Sequence, residues 1–310
     1  MTEWLTEQGI GERRFVRIAG DEITDARIHL EGTPSAGELR QARIRAVRPQ
    51  ALASDGQVEF LLPGGAGGLP EGASAWIEVT REPIPGGEPW KRPLARVVEA
   101  GAATLAPDSE SLPFPNPDDV LERAGWSDLL EEARSGLIAF PGGTLRVSVT
   151  PAMTLIDVDG VGRPADLAEA AAKAAAAAIR RHAIGGSIGI DFPTVSGREV
   201  RQRIGEMVDA GLEKPFERTA VNGFGFLQIV RPRRFPSLFE LAADRPGFEA
   251  RALLRQAARL VGLVRLDCHP AVAAALRPEW LEQLGRQVGG NVTLRENAAL
   301  AISGGHASQA

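Results

Sequence analysis

The chain has 310 residues, 44% of them hydrophobic, and a formal net charge of −5. That length and apolar content give enough core for two compact domains and exclude an intrinsically disordered chain. A single cysteine, Cys268, excludes an internal disulfide and a Cys-x-x-Cys metal clip, and the four histidines (His29, His182, His269, His306) have no zinc spacing.

In chain order, the opening MTEWLTEQGIGERRF carries early acidic residues and no apolar centre, so no secretory signal is expected. No apolar run approaches the roughly 20 residues of a membrane helix, and the expected address is cytoplasmic, with no membrane partner. Residues 12–31 read as a β-hairpin turning at Asp21. Across 37–99 the runs LRQARIRAV, QVEFLL, SAWIEV and LARVV alternate with Gly/Pro-rich turns, the pattern of a small barrel, the oligonucleotide-binding type among others. Residues 101–118 are proline-rich and polar and read as a linker.

From Asp118 the pattern becomes mixed α/β. A helix over DDVLERAGWSDLLEEA precedes two strands around Gly142–Gly143, and then MTLIDVDG forms a strand. An alanine-rich helix follows, with capping-box spacing at Asp166 and Glu169 and a stop at Gly185–Gly186. SIGIDF is a buried-type strand, and Ser196 and Glu199 repeat the capping spacing ahead of REVRQRIGEMVDAG. FGFLQIV is a further strand, ending in the basic RPRR. The tail reads helix, strand, two helices and a last strand at NVTLRE, with SGGHASQA expected to fray.

The chemistry concentrates in the βαβ unit from MTLIDVDG to SIGIDF. Its strands should run parallel through a right-handed crossover, placing Asp157 and Asp191 together at the carboxyl edge where open α/β sheets bind ligands. Two carboxylates on adjacent strands can share one Mg2+, which takes one or two protein carboxylates plus substrate phosphate. An aspartate that ends a strand before glycine is also ordinary turn chemistry, as at Asp159–Gly160. Arginines crowd the same region, among them Arg180, Arg181, Arg198, Arg201, Arg231, Arg233 and Arg234. They suit bidentate phosphate contacts, or they coat solvated helix faces. Gly185–Gly189 matches G-x-S-x-G, but a helix enters it and a strand leaves, the reverse of a nucleophile elbow. Cys268 beside His269 reads as a buried thiol next to a surface imidazole.

At these residues the sequence resembles the ribonuclease E/G family. The similarity is carried by MTLIDVDG, RRHAIGGSIGIDF and VNGFGFLQIVRPRRFPSL, matching in order and spacing a T-x-D-x-N motif, a Gly-Gly-hydrophobic-Asp-Phe strand and a Phe-Gly strand followed by basic residues and Pro-Ser-Leu. It is closest over 126–238 and extends more weakly to GELRQARIRAVRPQALASDG and LPEGASAWIEV, which are similar to an S1 barrel, and to the tail. The resemblance implies a mixed α/β catalytic core with a small S1-like, oligonucleotide-binding-type barrel near the N-terminus and a small α/β C-terminal subdomain. The units would be a hairpin at 1–35 packing on the core, a reduced barrel at 36–100, a linker at 101–118, a nuclease core at 119–240 and the subdomain at 241–310. It implies magnesium, or manganese in its place, on Asp157 and Asp191, with Asp159 beside them in the catalytic group. Single-stranded RNA is the implied partner, held by Phe224 and the arginines named above.

The sequence departs from the family at four places. The Asn two residues after the first aspartate is Asp159, which cannot donate an amide hydrogen bond and adds charge beside the metal; a tighter site and a silent one both stay open. A barrel Phe that would stack a base is Ala53. The Cys-Pro-x-Cys zinc link is missing, which leaves a monomer or a homodimer without zinc. The segment that senses 5′-monophosphate ends has shrunk to 101–118. Three readings follow: a single-strand endoribonuclease using metal-activated water, an RNA-binding protein without turnover, and a phosphoesterase acting on small nucleotides.

Overall fold

Apolar side chains alternate with polar ones over residues 16–18 and 26–30, and the backbone answers with an antiparallel hairpin. In a computed structural model, which describes residues 3–99, 109–115 and 118–309, it is formed by β2 (Glu12–Ala19) and β3 (Glu22–Leu30). A further strand, β1 (Trp4–Gln8), pairs with β2, widening the hairpin into a sheet. Its inner face carries Val16, Ile23, Ala26 and Ile28.

The chain then closes a five-stranded barrel from β4 (Leu39–Ala46), β5 (Leu52–Ser54), β6 (Glu59–Leu61), β7 (Ser74–Arg81) and β8 (Leu94–Val98), in the order β4-β5-β6-β8-β7. Ile44, Ala53, Phe60, Ile77 and Val79 fill its interior. Ala53 lies opposite Phe60 and is fully buried, so this position faces the barrel core and not a ligand. Closure removes the sheet edges that would otherwise invite pairing with other chains.

Residues 101–108 and 116–117 of the expected linker lie outside the described residues. Within the rest of it, β9 (Ser109–Leu112) pairs parallel with β1, completing the sheet order β3-β2-β1-β9. The helix expected from Asp118 is two: α1 (Val120–Arg123) and α2 (Trp126–Ser135). Gly125 breaks them apart at φ +87°, a backbone state that glycine adopts without strain. Trp126, Leu129 and Leu130 pack under the N-terminal sheet.

The central sheet holds β10 (Leu137–Phe140), β11 (Gly143–Val149), β12 (Thr154–Gly160), β13 (Gly186–Asp191), β14 (Glu217–Arg218) and β15 (Phe226–Arg231), in the order β10-β11-β12-β13-β15-β14. Only β12 and β13 run parallel, joined through α3 (Pro164–Arg181). Helices α3 and α4 (Arg198–Gly211) cover one face, where Ile156, Ile188, Ile190, Leu227 and Ile229 meet the buried alanines of α3. Each buried isoleucine contributes about 1.5–3 kcal/mol. The alanines also let the helices approach each other: a Cβ on Gly211 would lie 2.6 Å from that of Ala176.

Neither expected capping box forms. Helix α3 starts at Pro164, whose ring presets the first helical turn, and Asp166 pairs instead with Arg163 at 2.7 Å. Gly197 is the N-cap of α4, with no side-chain hydrogen bond from Ser196. A reciprocal box does form, unpredicted, where Ser237 and Glu240 open α5 (Leu238–Ala243). Helix α3 ends at His182–Ala183, with Ala183 at φ +52°, ahead of the two glycines.

The remainder comprises α6 (Arg245–Ala257), β16 (Val264–Cys268), α7 (Pro270–Ala275), α8 (Pro278–Val288), β17 (Val292–Glu296) and β18 (His306–Gln309). The tail does not fray through Gln309: β18 pairs antiparallel with β16, while β17 pairs with it in parallel. The described residues thus hold eight α-helices, a mixed α/β arrangement, and no helix long and apolar enough to cross a membrane.

Candidate functional site

Because Ile156 and Ile190 point into the core, the pleat turns the next residue of each strand to the uncovered face. Asp157 and Asp191 are direct partners in the parallel register, and both are exposed. A slip of one residue in either strand would bury its carboxylate and expose its isoleucine, so the core fixes this register. Among the described residues neither aspartate has a side-chain hydrogen bond or ion pair, and the same holds for Asp159. Asp159 stands two residues further along β12 on the same face, opposite Thr144. Among the described residues no three His, Cys, Asp or Glu side chains are grouped to hold a metal ion, so the pair is not extended to a converging trio.

Two neighbours of the pair come from the sheet register. Arg146 of β11 lies directly opposite Asp157 and is exposed. Phe226 of β15 lies opposite Asp191, and its ring reaches across β13 above Gly189. A Cβ there would fall 2.6 Å from the ring and 3.0 Å from Leu155. Gly189 therefore makes room for an apolar platform beside the carboxylates. The sequence alone points to neither Arg146 nor Phe226: the period-2 alternation of TLRVSV and FGFLQIV is the signal, but only pairing shows what each faces.

The loop after Asp191 is tied to the start of β15. Gly225 has φ +95°, and a Cβ there would land on the Phe192 carbonyl oxygen. The Phe192 amide donates to the Gly225 carbonyl at 3.2 Å. Asn222 accepts from the amides of Phe224 and Phe226 at 2.9 and 3.0 Å, presenting Phe224 almost fully to solvent.

The arginines separate. Arg198 is exposed at the start of α4, close in sequence to Asp191, and has no ion pair among the described residues. Arg201 donates to the Val195 carbonyl at 3.3 Å and so braces the intervening loop. The others lie elsewhere. Arg231 is opposite Gly186 while Phe226 is opposite Asp191, so the RPRR segment sits at the far end of β13, about 17 Å away at about 3.3 Å per residue. A phosphate track running from RPRR directly onto the aspartates is not formed. Arg180 pairs with Asp25 at 2.7 Å, Arg181 with Glu132 at 3.4 Å and Arg233 with Glu240. Arg181 faces a largely acidic hollow that includes Asp21, Glu22 and Asp128. Arg234 is exposed beside Phe235.

No family model matches the chain, and no curated protein matches it. The site therefore stands on its geometry.

The remaining sequence candidates close off. Cys268 is fully buried, and burial, with Glu296 and Asp267 nearby, pushes its thiol above the ordinary range. His269 caps α7, its Nδ1 accepting from the Ala271 amide at 3.1 Å. Ser187 lies within β13, with no strand-to-helix elbow around it.

Proposed function

We propose that the chain is a magnesium-dependent endoribonuclease acting on single-stranded RNA, as its resemblance to the ribonuclease E/G family implies. The observation that carries this reading is the in-register, exposed and unpartnered pair Asp157–Asp191. Two such carboxylates fit Mg2+, which keeps several waters and takes one or two protein carboxylates together with substrate phosphate. Asp157 and Asp191 would hold the ion, which would supply polarisation of a phosphate and a water of lowered pKa. Around it, Arg146 places a cation next to the carboxylates, where it can hold a phosphate oxygen. Phe226 and the exposed Phe224 offer rings on which unpaired bases stack, worth about 1–3 kcal/mol per base. The five-stranded closed barrel fits the oligonucleotide-binding type and, with Arg43 and Arg45 exposed on β4, supports an accessory RNA-binding role.

A second reading, RNA binding without turnover, draws support from Asp159, whose exposed carboxylate stands where the family has an amide. One assay separates the two. Fluorescent single-stranded RNA is incubated with wild type, Asp157→Asn and Asp191→Asn, in Mg2+ and in EDTA. The nuclease reading expects cleavage by wild type in Mg2+ alone, and a loss of at least about 100-fold in each variant, since metal stabilisation of the reacting phosphate amounts to several kcal/mol. Tight RNA binding with no metal-dependent product from any form establishes the second reading. Turnover of dinucleotides but not of oligomers rejects both.

A further inference from the structure

The arginines that the fold keeps away from the aspartates build a second feature. Where the N-terminal hairpin meets the end of β15 and the C-terminus of α3 there is a pocket of about 250 Å3. Its wall carries seven basic residues against two acidic ones, Asp25 and Glu213. The two acids are engaged, Asp25 by Arg180 at 2.7 Å and Glu213 by Arg17 at 3.4 Å, and Arg233 is taken by Glu240 from α5. Arg27, Lys214, Arg231 and Arg234 are left without a carboxylate at ion-pair distance among the described residues.

The guanidinium of Arg27 is fixed in place by aromatic rings, with its carbon 4.7 Å from the Trp4 ring centre, 4.4 Å from Phe15 and 4.6 Å from Phe235. Stacking occupies the flat faces of a guanidinium and leaves its N–H edge for an acceptor. Nitrogens of Arg17, Arg27, Arg231 and Arg233 are sealed from solvent without a hydrogen-bond partner among the described residues. Cations this close repel one another, and buried donors without acceptors are costly. The strain registers in the titration of the group. Burial, opposed by Glu82 and reinforced by Arg234 and Arg17, lowers Arg27 to about 10, and burial lowers Arg231 and Arg233 as well. All remain cationic at neutral pH.

The geometry points to a phosphate-binding pocket between the N-terminal hairpin and the RPRR segment, separate from the aspartate pair, with Arg27 and Arg231 as its principal donors. Phosphate fits the donor set: several acceptor oxygens and enough negative charge to cancel more than one free guanidinium. The inference deepens the RNA reading without resting on catalysis, because pocket and aspartates stand at opposite ends of β13.

The test is calorimetric titration of the full chain with pyrophosphate in metal-free, low-salt buffer. Wild type is expected to bind at one saturable site, Arg231→Gln and Arg27→Gln to bind at least about tenfold more weakly, and Asp157→Asn to bind as wild type does. Should Arg27→Gln fail to fold, Lys214→Gln combined with Arg234→Gln alters only exposed side chains and is expected to weaken binding likewise. Displacement of bound single-stranded RNA by pyrophosphate marks a nucleic-acid phosphate as the occupant; binding without displacement marks free phosphate; both support the pocket. Absence of a saturable site in wild type, or equal affinity across all the arginine and lysine variants, overturns it. Loss of RNA cleavage in Asp157→Asn with pyrophosphate binding intact leaves this inference standing whatever becomes of the nuclease reading.

Discussion

At the scale of single residues, the aspartate pair depends on its neighbours for any selectivity. Arg146 is exposed, so replacing it costs little stability, within about 0.5 kcal/mol. If it holds an RNA phosphate, Arg146→Ala removes a charged hydrogen bond of about 1.5–3 kcal/mol. The expected outcome is a loss of about 10- to 100-fold in kcat/KM for RNA cleavage, partly restored in Arg146→Lys, with an unchanged urea midpoint. Activity equal to wild type in Arg146→Ala would leave this arginine outside the site. The aspartates were legible in the sequence because each follows an isoleucine at the end of an apolar strand, and alternation alone puts both on the face opposite the core. Arg146 and Phe226 were not, since what they face is set by the pairing of β11 with β12 and of β13 with β15. The position of the arginine cluster was not legible for the same reason. Antiparallel β15 carries Arg231 to the far end of β13, although in sequence it follows directly on the Phe-Gly strand.

At the scale of elements, α6 is locked to the N-terminal sheet by buried charge. Arg14, fully buried, bonds Glu7 and Glu12, each at 2.6 Å; Arg255 reaches Glu7 at 3.2 Å and Asp119 at 2.6 Å; Arg251 reaches Glu12 at 3.3 Å. Nothing in the sequence announced this network, because its members are spread from residue 7 to residue 255 and alternation assigns charged residues to solvent. Asp119 reports on it. Burial raises its carboxyl, but the hydrogen bond and charge of Arg255, the Glu122 amide and Arg259 outweigh that and hold it below its ordinary 3.8. A folded-state value below the unfolded one gives stability that is full above the unfolded value and lost as pH falls through the folded one. Asp55, Asp166 and Asp209, lowered by their own partners, act in the same direction. The urea midpoint is therefore expected to hold on descending to about pH 5 and then to fall through and below pH 3.8. Asp119→Asn should start from a lower midpoint and fall less steeply. Arg255→Ala, which leaves Glu7 to Arg14 and Asp119 to Arg259, should cost about 1.5–3 kcal/mol at neutral pH, the range of a hydrogen bond to a charged group. A midpoint that rises on acidification would contradict the network's role.

At the scale of the whole molecule, a net charge of −5 gives no general attraction for RNA, so any affinity must arise from local cations. Besides Arg146 and Arg198 near the aspartates, two regions offer them: the pocket at the far end of β13, and Arg43 and Arg45 on the outer face of β4, neither of these two arginines having an ion pair among the described residues. The barrel is joined to the pocket side directly, the Glu82 amide beyond β7 donating to the Arg234 carbonyl at 2.9 Å. A strand of RNA bound at the barrel could thus also reach the pocket. For single strands, log K falls with log salt at about 0.7 per phosphate neutralised. Combining Lys214→Gln with Arg234→Gln should then flatten the slope by about 1.4, and combining Arg43→Gln with Arg45→Gln by a similar amount if the barrel shares the strand. Asp157→Asn should leave the slope unaltered in the absence of metal, since it removes no cation. Binding of a labelled oligoribonucleotide between 50 and 200 mM salt, about the range over which such effects are large, measures all three. A slope indifferent to the pocket pair but sensitive to the barrel pair would detach the pocket from the RNA path and leave free phosphate as its occupant. Equal sensitivity to both would join barrel and pocket into one RNA-binding surface.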